Sequence, residues 1–88
     1  MDWTVKLDPR AFVELQKLDR STQKRITSYL RERAAGRPDP REAGKRLTAE
    51  MAGLWRYRIG DYRTVCSIND ERRIVLVLPV AHRKDVYR

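Results

Sequence analysis

The feature that most constrains this chain is a pair of alternating runs separated by Gly60-Asp61. In the first, Trp55, Tyr57 and Ile59 alternate with Leu54, Arg56 and Arg58. In the second, Tyr62, Thr64, Cys66 and Ile68 alternate with Arg63, Val65 and Ser67. A period of two sends successive side chains to opposite faces of a strand, and a glycine that accepts positive φ suits a two-residue turn. Residues 54–68 therefore predict a β-hairpin with 59 opposite 62 and 58 opposite 63. Paired positions share a face, so Arg56, Arg58 and Arg63 are expected together on one side of the sheet.

The flanking segments supply the rest of the domain. Trp3, Val5 and Leu7 alternate with Thr4 and Lys6, which predicts a short opening strand. Asp8 is suited to cap a helix whose first residue is Pro9. Phe12, Leu15 and Leu18 follow at helical spacing, with Ala11 and Val13 widening the face, and Phe12 and Leu15 are read as core. Residues 19–21 break the pattern, and Ser21 is positioned to cap a second helix carrying Ile26, Tyr29, Leu30, Arg33 and Ala34, with Gly36 as its stop. So short a joint predicts an αα-hairpin. Pro38-Asp39-Pro40 forbids a continuous helix, and Gly44 weakens any turn over 41–46. Residues 37–53 are expected to form a loop that brings Lys45 and Arg46 near the sheet. After a turn at Asn69-Asp70-Glu71, residues 73–80 are apolar on both faces, as an inner strand requires. The expected fold is α+β, in the order β-α-α-β-β-β. An N-terminal helix hairpin packs on one face of a small, largely antiparallel four-stranded sheet. With 88 residues, the chain is expected to form a single domain over 1–88.

Charge narrows the class of partner. Twenty lysines and arginines against 12 acids give a formal charge of +8, a field that attracts polyanions. Nucleic acid is the leading partner class and an acidic protein the second; a surface that is merely soluble and basic is the plainer alternative. A hydrophobic content of 41% argues against wholesale disorder. The single cysteine, Cys66, excludes an internal disulfide framework, and no cluster has zinc-ligand spacing. The opening MDWTVKLDPR lacks the apolar core of a signal peptide. The run at residues 74–81, interrupted by Pro79, is too short to span a bilayer. The expectation is a cytoplasmic domain with no membrane partner and no cofactor.

Three arginines on one hairpin face repel one another by a few tenths of a kcal/mol or more. That cost is understandable if an anion normally sits among them. The alternative is neutralisation by Asp61, Glu50 or Glu71, or side chains splayed into water. The tail adds His82, Arg83, Lys84 and Tyr87. Tyr87 is suited to donate a proton or stack on a base, and equally to tether the tail to the sheet. Cys66, without a neighbouring base, is read as a small buried strand residue. No paired-carboxylate site, phosphate-binding glycine loop or Ser/His/Asp set is present. The available chemistry is cationic and suits transphosphorylation of RNA, in which the substrate's 2′-OH attacks the adjacent phosphate. That reaction needs alignment, charge stabilisation and proton transfer, and no metal.

The segments GLWRYRIGDYR, residues 53–63, and HRKDVY, residues 82–87, make the chain resemble the RelE family of the RelE/ParE toxin–antitoxin superfamily over essentially its whole length. The resemblance implies an mRNA endonuclease, an mRNA interferase that enters the ribosomal A site, cuts the codon there and halts translation. It also implies a cognate RelB-like antitoxin that covers the basic surface. Arg56 and Arg58 stand where well-studied members carry lysines, one of them proposed as general base. Arg63 matches the arginine of the "DYR" segment that stabilises the scissile phosphate, and Arg83 matches one near the end of the last strand. Tyr87 matches the tyrosine that stacks on or helps activate the cleaved nucleotide. Lys45, Arg46, His82 and Lys84 are expected among the RNA-binding residues. Arginine, with a pKa above about 12, is a poor base near neutrality. Arg56 and Arg58 therefore suit positioning and charge stabilisation, with His82 available for proton transfer. A DNA gyrase inhibitor like ParE, or a non-enzymatic binding module, is the alternative on the same fold.

Overall fold

The structure, a computed structural model, describes residues 3–79. Its elements run β1 (Thr4–Leu7), α1 (Pro9–Gln16), α2 (Arg20–Tyr29), β2 (Lys45–Arg46), β3 (Leu54–Ile59), β4 (Tyr62–Asn69) and β5 (Ile74–Val77). Among the described residues the strands form a five-stranded sheet in the order β1-β5-β4-β3-β2. Only the β1–β5 pair is parallel, as the α1–α2 crossover between sheet positions allows.

Both helices begin at an aspartate. The Asp8 carboxylate accepts from the Arg10 N–H at 2.9 Å, and Pro9 occupies the first turn, where a missing N–H costs nothing. The second helix is capped by Asp19, not Ser21. Asp19 accepts from the Thr22 N–H at 3.2 Å and from the hydroxyls of Ser21 and Thr22 at 2.5 and 2.6 Å. Two carboxylate oxygens serve three donors there, so the helix starts before Ser21, which becomes a donor to the cap. These bonds, the one from Ser21 foremost, hold the Asp19 carboxyl down at about 2. Past Tyr29 the helix widens into a π turn, Leu30–Ala34. A Cβ on Gly36 would lie 2.6 Å from the Glu32 carbonyl oxygen, so the chain turns away there with no room for a side chain.

The two helices cover one face of the sheet. Ala11, Ile26, Leu30, Ala34 and Ala35 pack against Tyr57, Ile59, Cys66, Val75 and Val77. Burying a side chain such as Leu30 stabilises by about 1.5–3 kcal/mol. On α1 Ala11 is buried and Leu15, four residues on, is half-buried against the core, as is Leu18 just beyond the helix. Phe12, expected in the core, is rotated off that face and is 48% exposed.

Residues 37–53 are more ordered than a loop. Pro40–Ala43 forms a 3-10 turn, and Lys45–Arg46 adds an edge strand, so the sheet has five strands where four were expected. Two residues are too few to show a period, and side chains far away in sequence hold them in place. The Tyr57 hydroxyl donates to the Pro40 carbonyl at 2.8 Å, and Trp3 Nε1 donates to the Pro38 carbonyl at 3.1 Å. Arg41 makes a two-pronged contact with Asp70 at 3.1 and 2.7 Å and lies over the Trp55 ring, 5.8 Å from its centroid. A Cβ on Gly44 would come within 3.1 Å of the Tyr57 ring, so a glycine is what allows this close approach. The last described strand is shorter than the apolar run: Arg73, at φ +56°, belongs to the turn before it.

Candidate functional site

The strand register assembles a cationic face. Arg58 is the partner of Arg63, Arg56 of Val65, and Lys45 of Arg56. Since paired positions share a face, Lys45, Arg56, Arg58 and Arg63 all lie on the side opposite the helices. Tyr57, Ile59 and Cys66 take the helix side and are buried. Lys45 and Arg58 are exposed, while Arg56 and Arg63 are half-buried. Val65, the partner of Arg56 on the same face, is fully enclosed.

No carboxylate among the described residues comes within ion-pair distance of Lys45, Arg56 or Arg58. Asp61 and Glu71 therefore neutralise neither Arg56 nor Arg58. The ion pairs lie elsewhere, at Arg10–Asp8, Arg37–Glu42, Arg41–Asp39 and Arg41–Asp70. Such a face keeps positive charge in place on a hydrogen-bonded sheet and concentrates anions at its surface.

The expected pair Lys45 and Arg46 is split. Arg46 is the partner of Trp55 and so faces the helix side, away from Lys45 and the three arginines. A loop would have left both free to turn the same way; a strand cannot. His82, Arg83, Lys84 and Tyr87 lie outside the described residues.

One cation at this end of the sheet is not evident from strand periodicity. Gly60 has φ +59°, and the space a Cβ would fill there is occupied by the guanidinium of Arg25 from α2. The signal for it was compositional, since α2 carries Arg20, Lys24 and Arg25 and no acid. Cys66 is buried in the core, and burial pushes its thiol up to about 12, which keeps it protonated and unreactive near neutrality. On the helix side, a groove of about 710 Å³ lined by Leu7, Leu15, Leu18, Leu30 and Val77 is apolar and separate from the arginine face. Among the described residues no helix is long and apolar enough to cross a membrane.

Comparison with known proteins places this arrangement. The family described as ParE toxin of type II toxin-antitoxin system, parDE, matches residues 5–87. Toxin RelG of Mycobacterium tuberculosis is 38% identical over 90 residues, covering 100% of this chain and 99% of the relative. The RelBE2 toxin–antitoxin complex of M. tuberculosis matches with a TM-score of 0.75 and 30% identity, over 90% of this chain and 95% of the other. A mutant of E. coli toxin RelE in the free state matches with a TM-score of 0.73 and 27% identity, over 99% and 92%. The chain thus belongs to the RelE/ParE superfamily, the toxins of type II toxin–antitoxin modules.

Proposed function

We propose that this toxin is a ribosome-dependent mRNA endonuclease that cleaves the codon in the ribosomal A site and so inhibits translation. The observation that carries this reading is the face formed by Lys45, Arg56, Arg58 and Arg63, where the strand register concentrates positive charge on one side of the sheet. In the reaction, the 2′-oxygen of the substrate attacks its own 3′-phosphate. The P–O5′ bond breaks, leaving a 2′,3′-cyclic phosphate and a 5′-hydroxyl. Negative charge grows on the non-bridging oxygens, and the guanidinium groups of Arg56, Arg58 and Arg63 compensate it. Arg63 and Arg58, paired across the hairpin, suit a single phosphate approached from two sides. Because an arginine stays protonated, these residues align and stabilise while another group moves the proton. His82 and Tyr87 are the candidates for that transfer, with Arg83 a further cation and Lys45, His82 and Lys84 flanking RNA contacts.

The partner is proposed to be a RelB-like antitoxin, in keeping with relatives whose structures are toxin–antitoxin complexes, including the archaeal RelE–RelB complex from Pyrococcus horikoshii at 29% identity. An acidic antitoxin docked on the basic face should bind less tightly as salt rises.

A second reading, inhibition of DNA gyrase, is favoured by the match to the ParE toxin family. The two separate cleanly by experiment. Primer extension on a defined mRNA, with and without translating ribosomes, should show in-frame cuts only when ribosomes are present. Intact mRNA in both lanes, together with loss of gyrase supercoiling activity, would select the second reading.

A further inference from the structure

We propose that Arg25 of α2 is a phosphate-contacting positioning residue, carrying the RNA-binding surface over the tip of the β3–β4 hairpin and onto the helix layer. The inference rests on the nucleic-acid reading of the arginine face and extends it to a part of the fold that no strand register reaches. The guanidinium of Arg25 occupies the volume that a side chain at position 60 would fill. Gly60 is two residues from Arg58 and three from Arg63, so Arg25 reaches, from the helix side, the turn that joins the two arginine-bearing strands.

Three further observations point the same way. Arg25 is exposed on its helix, and no carboxylate among the described residues comes within ion-pair distance of it. Asp61, the other residue of the turn, makes no ion pair with it either. The rest of α2 contributes Arg20 and Lys24 and no acid, and its capping Asp19 is spent on Ser21 and Thr22. An unpaired guanidinium packed on a backbone turn is held close to one place without being neutralised. Such a group can fork two N–H donors onto a phosphate with little further ordering. The partner it fits is the sugar–phosphate backbone flanking the scissile site.

The test is equilibrium binding of wild type, Arg25→Ala, Arg25→Lys and Arg10→Ala to a poly(U) oligonucleotide across a salt series. Arg10→Ala removes the same charge from an exposed site on α1. For Arg25→Ala the slope of log K against log[salt] should fall by about 0.7, the value for one lost phosphate contact on a single strand, with severalfold weaker binding and an unchanged Tm. Arg25→Lys should recover most of the slope, and Arg10→Ala should keep it. In the cleavage assay Arg25→Ala should raise KM and leave kcat near wild type, as expected of a residue that positions RNA away from the reacting atoms.

Unchanged slope and affinity in Arg25→Ala would overturn the proposal, as would an equal loss in Arg10→Ala, or wild type that does not bind poly(U). A wild type that cleaves on ribosomes while Arg25→Ala binds normally would remove this inference and leave the nuclease reading standing. A wild type that never cleaves, with Arg25→Ala still weakening binding, would do the reverse.

Discussion

Arg58 and Arg63 are partners across the β3–β4 hairpin, two positive side chains on one face with Cβ atoms about 5 Å apart by the geometry of paired positions. A sheet that needed only stability would place opposite charges, or an aromatic and a β-branched residue, at such a pair. Replacing Arg58 by alanine should leave Tm unchanged or slightly raised, because a repulsion of a few tenths of a kcal/mol is removed. In the proposed reaction each of these arginines compensates developing charge, so cleavage of ribosome-bound mRNA should nevertheless fall about tenfold or more for Arg58→Ala and for Arg63→Ala. Thermal denaturation alongside single-turnover cleavage checks both halves; full activity in folded variants would remove these residues from the site.

Tyr57 holds the edge strand in place from inside the core. Its ring is fully buried, and its hydroxyl donates to the Pro40 carbonyl at 2.8 Å. Tyr57→Phe keeps the packing but strands that carbonyl, at a cost of about 1–3 kcal/mol. Chemical denaturation should show a lowered midpoint with an unchanged m-value. Amide exchange should accelerate first at Lys45 and Arg46, whose pairing depends on that anchor.

At Gly60 two demands coincide, a left-handed backbone at φ +59° and room for the Arg25 guanidinium. The guanidinium is the far end of a flexible side chain and can move aside. The backbone cannot, so Gly60→Ala should destabilise the fold by about 1–2 kcal/mol. A Tm within error of wild type would mean that the turn adopts another geometry.

Cys66 should resist alkylation. Burial raises its thiol from an ordinary 9.0 to about 12, and burial also raises the Tyr57 hydroxyl above its ordinary 10.0. Both groups hold their protons longer folded than unfolded. Their contribution is therefore complete below about pH 9 and is lost as pH rises toward the folded values. Iodoacetamide at pH 8 should modify the protein only in denaturant, as read by mass spectrometry, and stability should decline above pH 9. Rapid labelling of native protein would show that the core opens readily.

Asp19 works in the opposite direction. Hydrogen bonds from Ser21 and Thr22 lower its carboxyl from 3.8 to about 2. The stability it contributes is present above pH 4 and disappears as pH falls toward 2. Asp19→Ala should lower Tm at pH 7 and make the acid limb of a pH–stability profile shallower. A profile identical to wild type between pH 4 and 2 would mean the cap contributes nothing.

The parts of this protein legible in its residues were those governed by local rules. Alternation over residues 54–68 and the Gly60-Asp61 turn were enough to predict the hairpin, its register, and the shared face of Arg56, Arg58 and Arg63. Asp8-Pro9 likewise marked the start of α1, because capping and a fixed proline φ act within one turn of chain. At the start of α2 the sequence pointed to Ser21, whereas Asp19 holds the cap, because its two carboxylate oxygens can serve the Thr22 N–H and both hydroxyls, which spacing alone did not reveal.

What only the tertiary structure decided depends on contacts between distant residues. Lys45–Arg46 became a strand because Tyr57 and Arg41 tie the segment before it to β3 and to the β4–β5 turn, and that pairing sent Lys45 to the arginine face and Arg46 away from it. Phe12 left the core because the helix rotated to bury Ala11 instead. Arg25 reached the hairpin tip because α2 packs across β3, a contact that no periodicity within either segment encodes. Local propensity sets which way a side chain points along its own element; which partner waits there is settled by how the elements pack, and packing is a property of the whole chain.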